Sequence, residues 1–256
     1  MKKINSPIRF IPNFVTSLNL FAGALSIVLA FEGFPLYSAY LIFIAAILDF
    51  LDGFLARALN AYSDMGKELD SLADLISFGM APAAIVFNLM KSTFFINKDI
   101  CDVDPLPEIN ILIFLAITLL IPVFSGLRLA KFNVDTRQTS EFIGLPTPAN
   151  AIFWASLPII ALKSPMYLNN IIGKIDYVPY ALAGGVIFTS LLLVSELPMF
   201  SLKFKSFKIK DNLVKFVFLL LSLALLIYDG FKSIPTIIIL YIVISVFLWI
   251  FKKFKN

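Results

Sequence analysis

The chain has 256 residues, of which 59% are hydrophobic and only 15% charged, with a mean hydropathy of +0.90; an ordinary soluble chain carries about 25% charged residues, so this one has too little polar side chain to coat a water-facing surface. No histidine and a single cysteine exclude Ser-His-Asp and Cys-His nucleophile systems, structural zinc and disulfide frameworks. A net charge of +4 is too modest to suggest a nucleic-acid partner, and the bilayer is the expected solvent.

A membrane-crossing helix needs about 20 mostly apolar residues. Eight such stretches are read along the chain, centred on 14–32, 36–56, 69–90, 109–129, 149–163, 178–196, 213–229 and 234–251. The first follows Lys2, Lys3 and Arg9 but leads to no convincing small-residue cleavage site, so it is expected as a retained span rather than a signal peptide. The fifth is short, and the second and third carry acids. With eight spans, sixteen Lys and Arg residues fall on one side of the membrane and five on the other. The positive-inside rule then puts both termini in the cytoplasm. The loop 91–108, which holds Cys101, falls on the opposite face. The interleaved bases of Lys203, Lys205, Lys208 and Lys210 suit an anionic membrane surface, or simply fix topology.

The second and third spans hold the chemistry. Asp49, Asp52, Gly53, Ala56 and Arg57 stand at i, i+3, i+4, i+7 and i+8, one stripe of a helix; Gly66, Asp70 and Asp74 stand at i, i+4 and i+8 on the next. Two antiparallel helices joined by the 58–65 turn would face four carboxylates toward one another. An aspartate near the bilayer centre costs about 2.5–3.5 kcal/mol, and clustered anions repel. A divalent cation resolves both problems. Carboxylate oxygens without His or Cys suit Mg²⁺ or Mn²⁺, with Ca²⁺ a further occupant. Gly53, Ala56 and Gly66 allow close approach of a ligand or a partner backbone, and Arg57 offers a bidentate donor to phosphate. The competing reading is a polar seam or ion path, as in a metal-ion or lipid transporter, with Arg57 a topology charge.

The string D-x2-D-G-x2-A-R-x8-G-x3-D-x3-D over residues 49–74 resembles the signature of the CDP-alcohol phosphatidyltransferases at every fixed position. Flanking segments are similar to the phosphatidylserine-forming members of that family. These are Ile11-Pro12-Asn13 through Thr16 and Asn19, Leu59 through Gly66, Asp70 through Pro82, Leu127-Arg128 through Lys131-Phe132-Asn133, and Phe142 through Gly144, Pro146 and Pro148. A weaker likeness recurs at Val194-Ser195.

The resemblance implies an all-α integral membrane enzyme, a bundle of about eight helices with the motif at the cytoplasmic ends of the second and third. One transmembrane domain would span 1–256, with a catalytic core over 10–150 and additional membrane helices over 177–256. The expected donor is CDP-diacylglycerol and the expected acceptor L-serine, in a cytoplasmic membrane among membrane lipids, with a homodimer as the assembly. Glycerol 3-phosphate or an inositol derivative are the alternative acceptors. Asp49, Asp52, Asp70 and Asp74 would hold the metal, and Asp74 is also the candidate general base. Asp52, Gly53, Ala56, Arg57, Gly66, Asn13 and Thr16 would bind the donor. Arg128, Lys131 and Asn133 would take the acceptor or the reacting phosphate, behind a stiff 144–148 turn. Asp135 or Glu141 could meet the ammonium on grounds of position alone. Taken singly, Arg128 and Lys131 also fit plain topology charges at a helix end, Pro146 and Pro148 a helix start, and Asn13, Thr16 and Asn19 ordinary caps or interhelical contacts.

Overall fold

The structure is a computed structural model describing residues 6–95, 109–134, 142–163, 178–200 and 212–255. Helices dominate it: α1 (Ser6–Phe31), α2 (Pro35–Ala58), α3 (Asp64–Asp74), a π-helical turn (Leu75–Met80), α4 (Ala81–Phe95), α5 (Ile109–Ile117), α6 (Leu120–Val134), α7 (Thr147–Lys163), α8 (Val178–Val194), α9 (Leu213–Asp229), a 3₁₀ turn (Gly230–Ser233) and α10 (Ile234–Lys255). Two short strands, β1 (Phe142–Ile143) and β2 (Pro198–Met199), pair antiparallel with Phe142 opposite Met199. This is an all-α membrane protein.

Five helical runs are long and apolar enough to cross a membrane: Phe10–Phe31, Pro35–Ala58, Asp64–Thr93, Leu112–Val134 and Leu213–Phe251. The last folds back on itself. Gly230, at φ +59°, ends α9, and the Phe218 and Tyr241 rings lie 6.0 Å apart although they sit on opposite sides of that break. Such contact is possible only in a helical hairpin. The eight apolar stretches read from the sequence all fall on helix; α7 and α8 have 17 residues each, against the 22 or more of the long runs. The 91–108 loop with Cys101 lies mostly outside the described residues, the basic 203–210 stretch entirely so.

Packing explains how α1 and α2 come to hold a site between them and α3. Their interface is made of small residues, with Ala22, Ala30, Ala39 and Ala45 all buried, and Ser26 and Ser38 hydroxyls bonded across it at 2.8 Å. Close backbone approach of this kind is how helices associate in lipid, where burial of hydrocarbon offers no gain. Their outer faces are apolar instead, with Phe21, Phe31, Ile47 and Phe50 exposed. The π-helical turn follows the acidic α3 directly. Its Ser77 hydroxyl donates to the Asn19 carbonyl of α1 at 3.0 Å, and Gly23 is required beside it because any Cβ there would overlap the Ser77 side chain. The extra residue in that turn shifts the register of α4 against α3. Asp70 and Asp74 can thereby face the site while Phe78, Ala81 and Ile85 face the core.

Candidate active site between the second, third and sixth helices

Asp49 and Asp52 occupy the last third of α2. The helix ends at Ala58, and Asn60 takes a positive φ of 48° as the chain reverses. Ser63 starts α3 by accepting a hydrogen bond from the Gly66 amide at 3.0 Å, the capping role for which a hydroxyl is suited. Helix therefore resumes at Asp64, inside the 58–65 segment expected as a turn, and the acids are brought face to face.

Carboxylate oxygens of Asp49, Asp70 and Asp74 all lie within 4.8 Å of one another. Asp52 stands one turn along α2, is 5% exposed, and its Oδ2 has no hydrogen-bond partner; neither has Asp74 Oδ1. A buried carboxylate oxygen without a partner forfeits its hydration and gains nothing in return. Three carboxylates crowded in this way, with Asp52 outside their focus, need positive charge. A cluster offering only hard oxygen donors fits a divalent cation of the Mg²⁺ or Ca²⁺ type and not zinc.

Two cavities open on the acids. The first, of about 250 Å³, is lined by Pro12, Asn13 and Thr16 of α1, by Asp52, Gly53, Ala56 and Arg57 of α2, by Ala61, Tyr62 and Ser63, and by Gly66, Lys67 and Asp70 of α3. Gly66 has no room for a side chain, since a Cβ would sit 2.8 Å from Asn13 Oδ1 and 2.9 Å from Ser63 Oγ. The second, of about 230 Å³, is lined by Asp49, Asp70, Ser71 and Asp74, by Arg128, Leu129, Phe132 and Asn133 of α6, and by Pro146, Thr147 and Pro148. Asp70 lines both. A larger cavity of about 550 Å³ among α7, α8 and α10 is almost wholly hydrocarbon and contains no titratable group.

Arg128 is buried against the acids. Its Nη1 donates to Thr147 Oγ1 at 3.1 Å, its Nε has no partner, and its guanidinium lies 5.9 Å from the Phe132 ring centre. Lys131, one turn further on, points elsewhere: it pairs with Glu196, after α8, and is not on the wall of either cavity. Asn133 donates to Ser71 Oγ at 2.9 Å. Asp135 and Glu141 lie outside the described residues. Asn13 and Thr16 share the first cavity with Asp52, Gly53, Ala56, Arg57 and Gly66, while Asp49, Asp74, Arg128 and Asn133 share the second.

Ser71 and Thr147 were not foreseen as site residues. Ser71 follows Asp70 directly on the flank of the acidic stripe, which was a usable signal. Thr147 shows itself only through Arg128, nineteen residues earlier and on another helix.

The profile of the CDP-alcohol phosphatidyltransferase family matches residues 9–191. Several curated relatives carry the name CDP-diacylglycerol–serine O-phosphatidyltransferase. One from Helicobacter pylori (strain J99) is 28% identical over 98% of this chain and 95% of its own length. Another, from Bacillus subtilis (strain 168), is 35% identical over 78% of this chain and 92% of its own. A third, from Mycobacterium leprae (strain TN), is 37% identical over 75% of this chain and 58% of its own.

Proposed function

Because the chain belongs to the CDP-alcohol phosphatidyltransferase family, we propose that its two acid-lined cavities serve the two halves of one reaction, transfer of a phosphatidyl group from CDP-diacylglycerol to L-serine with release of CMP. The chain is a phospholipid-synthesising transferase. The observation that carries the assignment of the cavities is Asp70, which lines both and marks where donor and acceptor meet.

The donor's cytidine and diphosphate take the first cavity, held by Asn13, Thr16, Asp52, Gly53, Ala56, Arg57 and Gly66. Arg57 supplies paired N–H donors to the diphosphate oxygens, and Gly53, Ala56 and Gly66 leave the space that the nucleotide fills. Serine takes the second cavity, with Arg128 and Asn133 as its polar walls and the Pro146–Pro148 segment as its back. Lys131 is close enough in sequence to add long-range attraction for anions, while its ammonium is engaged by Glu196. The serine hydroxyl oxygen forms a bond to the phosphorus that bears diacylglycerol. The bond from that phosphorus to the bridging diphosphate oxygen breaks, CMP departs with the electron pair, and the hydroxyl proton passes to the carboxylate of Asp74. Asp74 suits this role because it lines the acceptor cavity and has an oxygen without a partner.

The family is generally divalent-metal dependent. Asp49, Asp52, Asp70 and Asp74 would hold Mg²⁺ or Mn²⁺, with Ca²⁺ a further occupant, and such an ion supplies positive charge against the diphosphate and the leaving CMP. The sixteen-to-five distribution of Lys and Arg supports a cytoplasmic-membrane location with the termini and site on the cytoplasmic side. The family resemblance supports a homodimer. The catalytic core is assigned to 10–150 and the helices beyond 177 are additional membrane spans.

The test offers serine, glycerol 3-phosphate and inositol in parallel to the purified protein with CDP-diacylglycerol and Mn²⁺, and measures CMP. Release with serine alone is expected. Release with another alcohol and not with serine would overturn the acceptor assignment, and no release with any of the three alcohols would return the acidic seam to an ion or lipid path.

A further inference from the structure

We infer that Ser71 is a specificity-determining positioning residue, fixing the Asn133 amide so that its carbonyl oxygen receives the ammonium of an amino-alcohol acceptor. The inference rests on the transferase reading above and deepens it. Ser71 lies on α3 between Asp70 and Asp74, Asn133 near the end of α6, and both line the acceptor cavity. Asn133 Nδ2 and Ser71 Oγ are 2.9 Å apart.

The direction of that bond follows from the proton inventory. A serine hydroxyl has one proton to give and two lone pairs to accept with. Ser71 gives its proton to the Lys67 backbone carbonyl, 3.2 Å away and one turn back along α3. Its oxygen is left as an acceptor only. With that bond made, the Asn133 group that meets it is the NH₂, and turning the amide over would require Ser71 to give up the Lys67 carbonyl. Asn133 Oδ1 is thereby left without a hydrogen-bond partner among the described residues.

The cavity so built has a cationic donor at Arg128, whose Nε is unpartnered, and a neutral, directional acceptor at Asn133. A carboxylate and an ammonium on one carbon are what serine has and what glycerol 3-phosphate and inositol lack. The aspartates attract a cation from every side without fixing its position. A carbonyl held by a second residue adds direction, which is what selection among alcohols requires.

The test uses the purified full-length protein and the Ser71→Ala and Ser71→Thr variants, following CMP release. KM is measured for L-serine and for CDP-diacylglycerol, with L-alanine (ammonium and carboxylate, no hydroxyl) and L-lactate (carboxylate and hydroxyl, no ammonium) as competitors. Wild type should be inhibited by alanine far better than by lactate. Ser71→Ala should raise the serine KM about three- to tenfold, the factor that a hydrogen bond of ordinary net strength supplies, and narrow the preference for alanine by a similar factor. The donor KM should stay unchanged, and Ser71→Thr should restore the serine KM. Asn133→Asp, which keeps an oxygen at the position, should preserve the preference for alanine even if Ser71→Ala folds poorly. A wild-type serine KM in Ser71→Ala, an equal rise in both KM values, or loss of the alanine preference in Asn133→Asp would each overturn the inference. Failure of the wild type itself to use serine would instead sink the acceptor assignment.

Discussion

Asp70→Asn perturbs the point where the two cavities meet, and its consequences for stability and activity should have opposite signs. The substitution keeps size and removes one charge. At an effective dielectric constant of about 20, two carboxylates at the 4.8 Å outer limit of this cluster repel by about 3.5 kcal/mol. Asp70 has two such neighbours, Asp49 and Asp74. Solvent and salt reach this half-buried side chain and remove a large part of that repulsion, leaving a gain of about 1–3 kcal/mol for the metal-free protein. Thermal unfolding in detergent with a chelator should therefore show Asp70→Asn melting several degrees above wild type. With Mn²⁺ added, wild type should rise strongly through linkage to the bound ion and the variant should hardly move. CMP release should fall to a trace, because the same residue lines both cavities. A variant that melts below wild type in chelator would refute the electrostatic reasoning. One that keeps its activity would remove Asp70 from the reaction.

Thr147→Val deletes the hydroxyl that holds Arg128 Nη1 and leaves a second buried guanidinium nitrogen without a partner; a hydrogen bond to a charged group is worth about 1.5–3 kcal/mol, so the serine KM should rise at least tenfold with the donor KM little changed, and Thr147→Ser should recover it. Lys131→Ala should alter serine kinetics by less than about twofold, since a half-exposed ion pair contributes little and this one points away from both cavities; a loss as large as that of Arg128→Ala would place Lys131 back in the site. Cys101, in the 91–108 loop and outside the described residues, should react with a membrane-impermeant maleimide applied to the outside of spheroplasts. Labelling only after the membrane is opened would invert the orientation.

Features that depend on a regular period were legible in the sequence. Hydrophobic length placed helix under each of the eight apolar stretches, because lipid forces the backbone to satisfy its own hydrogen bonds; it did not show the acidic start of α3 at Asp64 or the break between α5 and α6. Helical spacing put Asp49 and Asp52 on one side of α2 and Asp70 and Asp74 on one side of α3, and Asp49, Asp70 and Asp74 meet at one focus; that Asp52 stands outside it was not legible. What was not legible depends on irregular backbone and on contacts between distant segments. The π-helical turn at 75–80 has no pattern of its own, and the contacts it makes through Ser77 are with Asn19 and Gly23 on another helix. Arg128 and Lys131 look equivalent in sequence, both basic and one turn apart at the end of a span. Their separation into a buried residue on the wall of the second cavity and a more exposed one off it goes with Thr147 and Glu196, neither of which lies near them in the chain.

Every residue lining the second cavity lies between 49 and 148, yet residues beyond 190 brace it. Its back wall, Pro146 through Pro148, is held from behind by the end of α8. Gly144 takes a φ of +76° and packs so closely on the Leu193 carbonyl that no Cβ fits. Its amide donates to the Leu197 carbonyl at 2.9 Å, and Leu145 donates to Leu192 at 2.9 Å. Strand β1 pairs with β2 immediately beyond, and Glu196 in the same segment takes Lys131. Met199 then passes the contact on to the hairpin of α9 and α10, since it is buried with Leu145, Leu193, Phe218 and Tyr241 in one cluster. The prolines stiffen the wall locally, and the residues just before it, 142–145, are bound to residues 192–199 by hydrogen bonds and strand pairing. The weak likeness at Val194-Ser195 thus falls in the segment that holds the acceptor wall in place. Changes in residues 192–199 should therefore reach serine use before they reach the donor, whose cavity is made only of α1, α2, α3 and the link between α2 and α3.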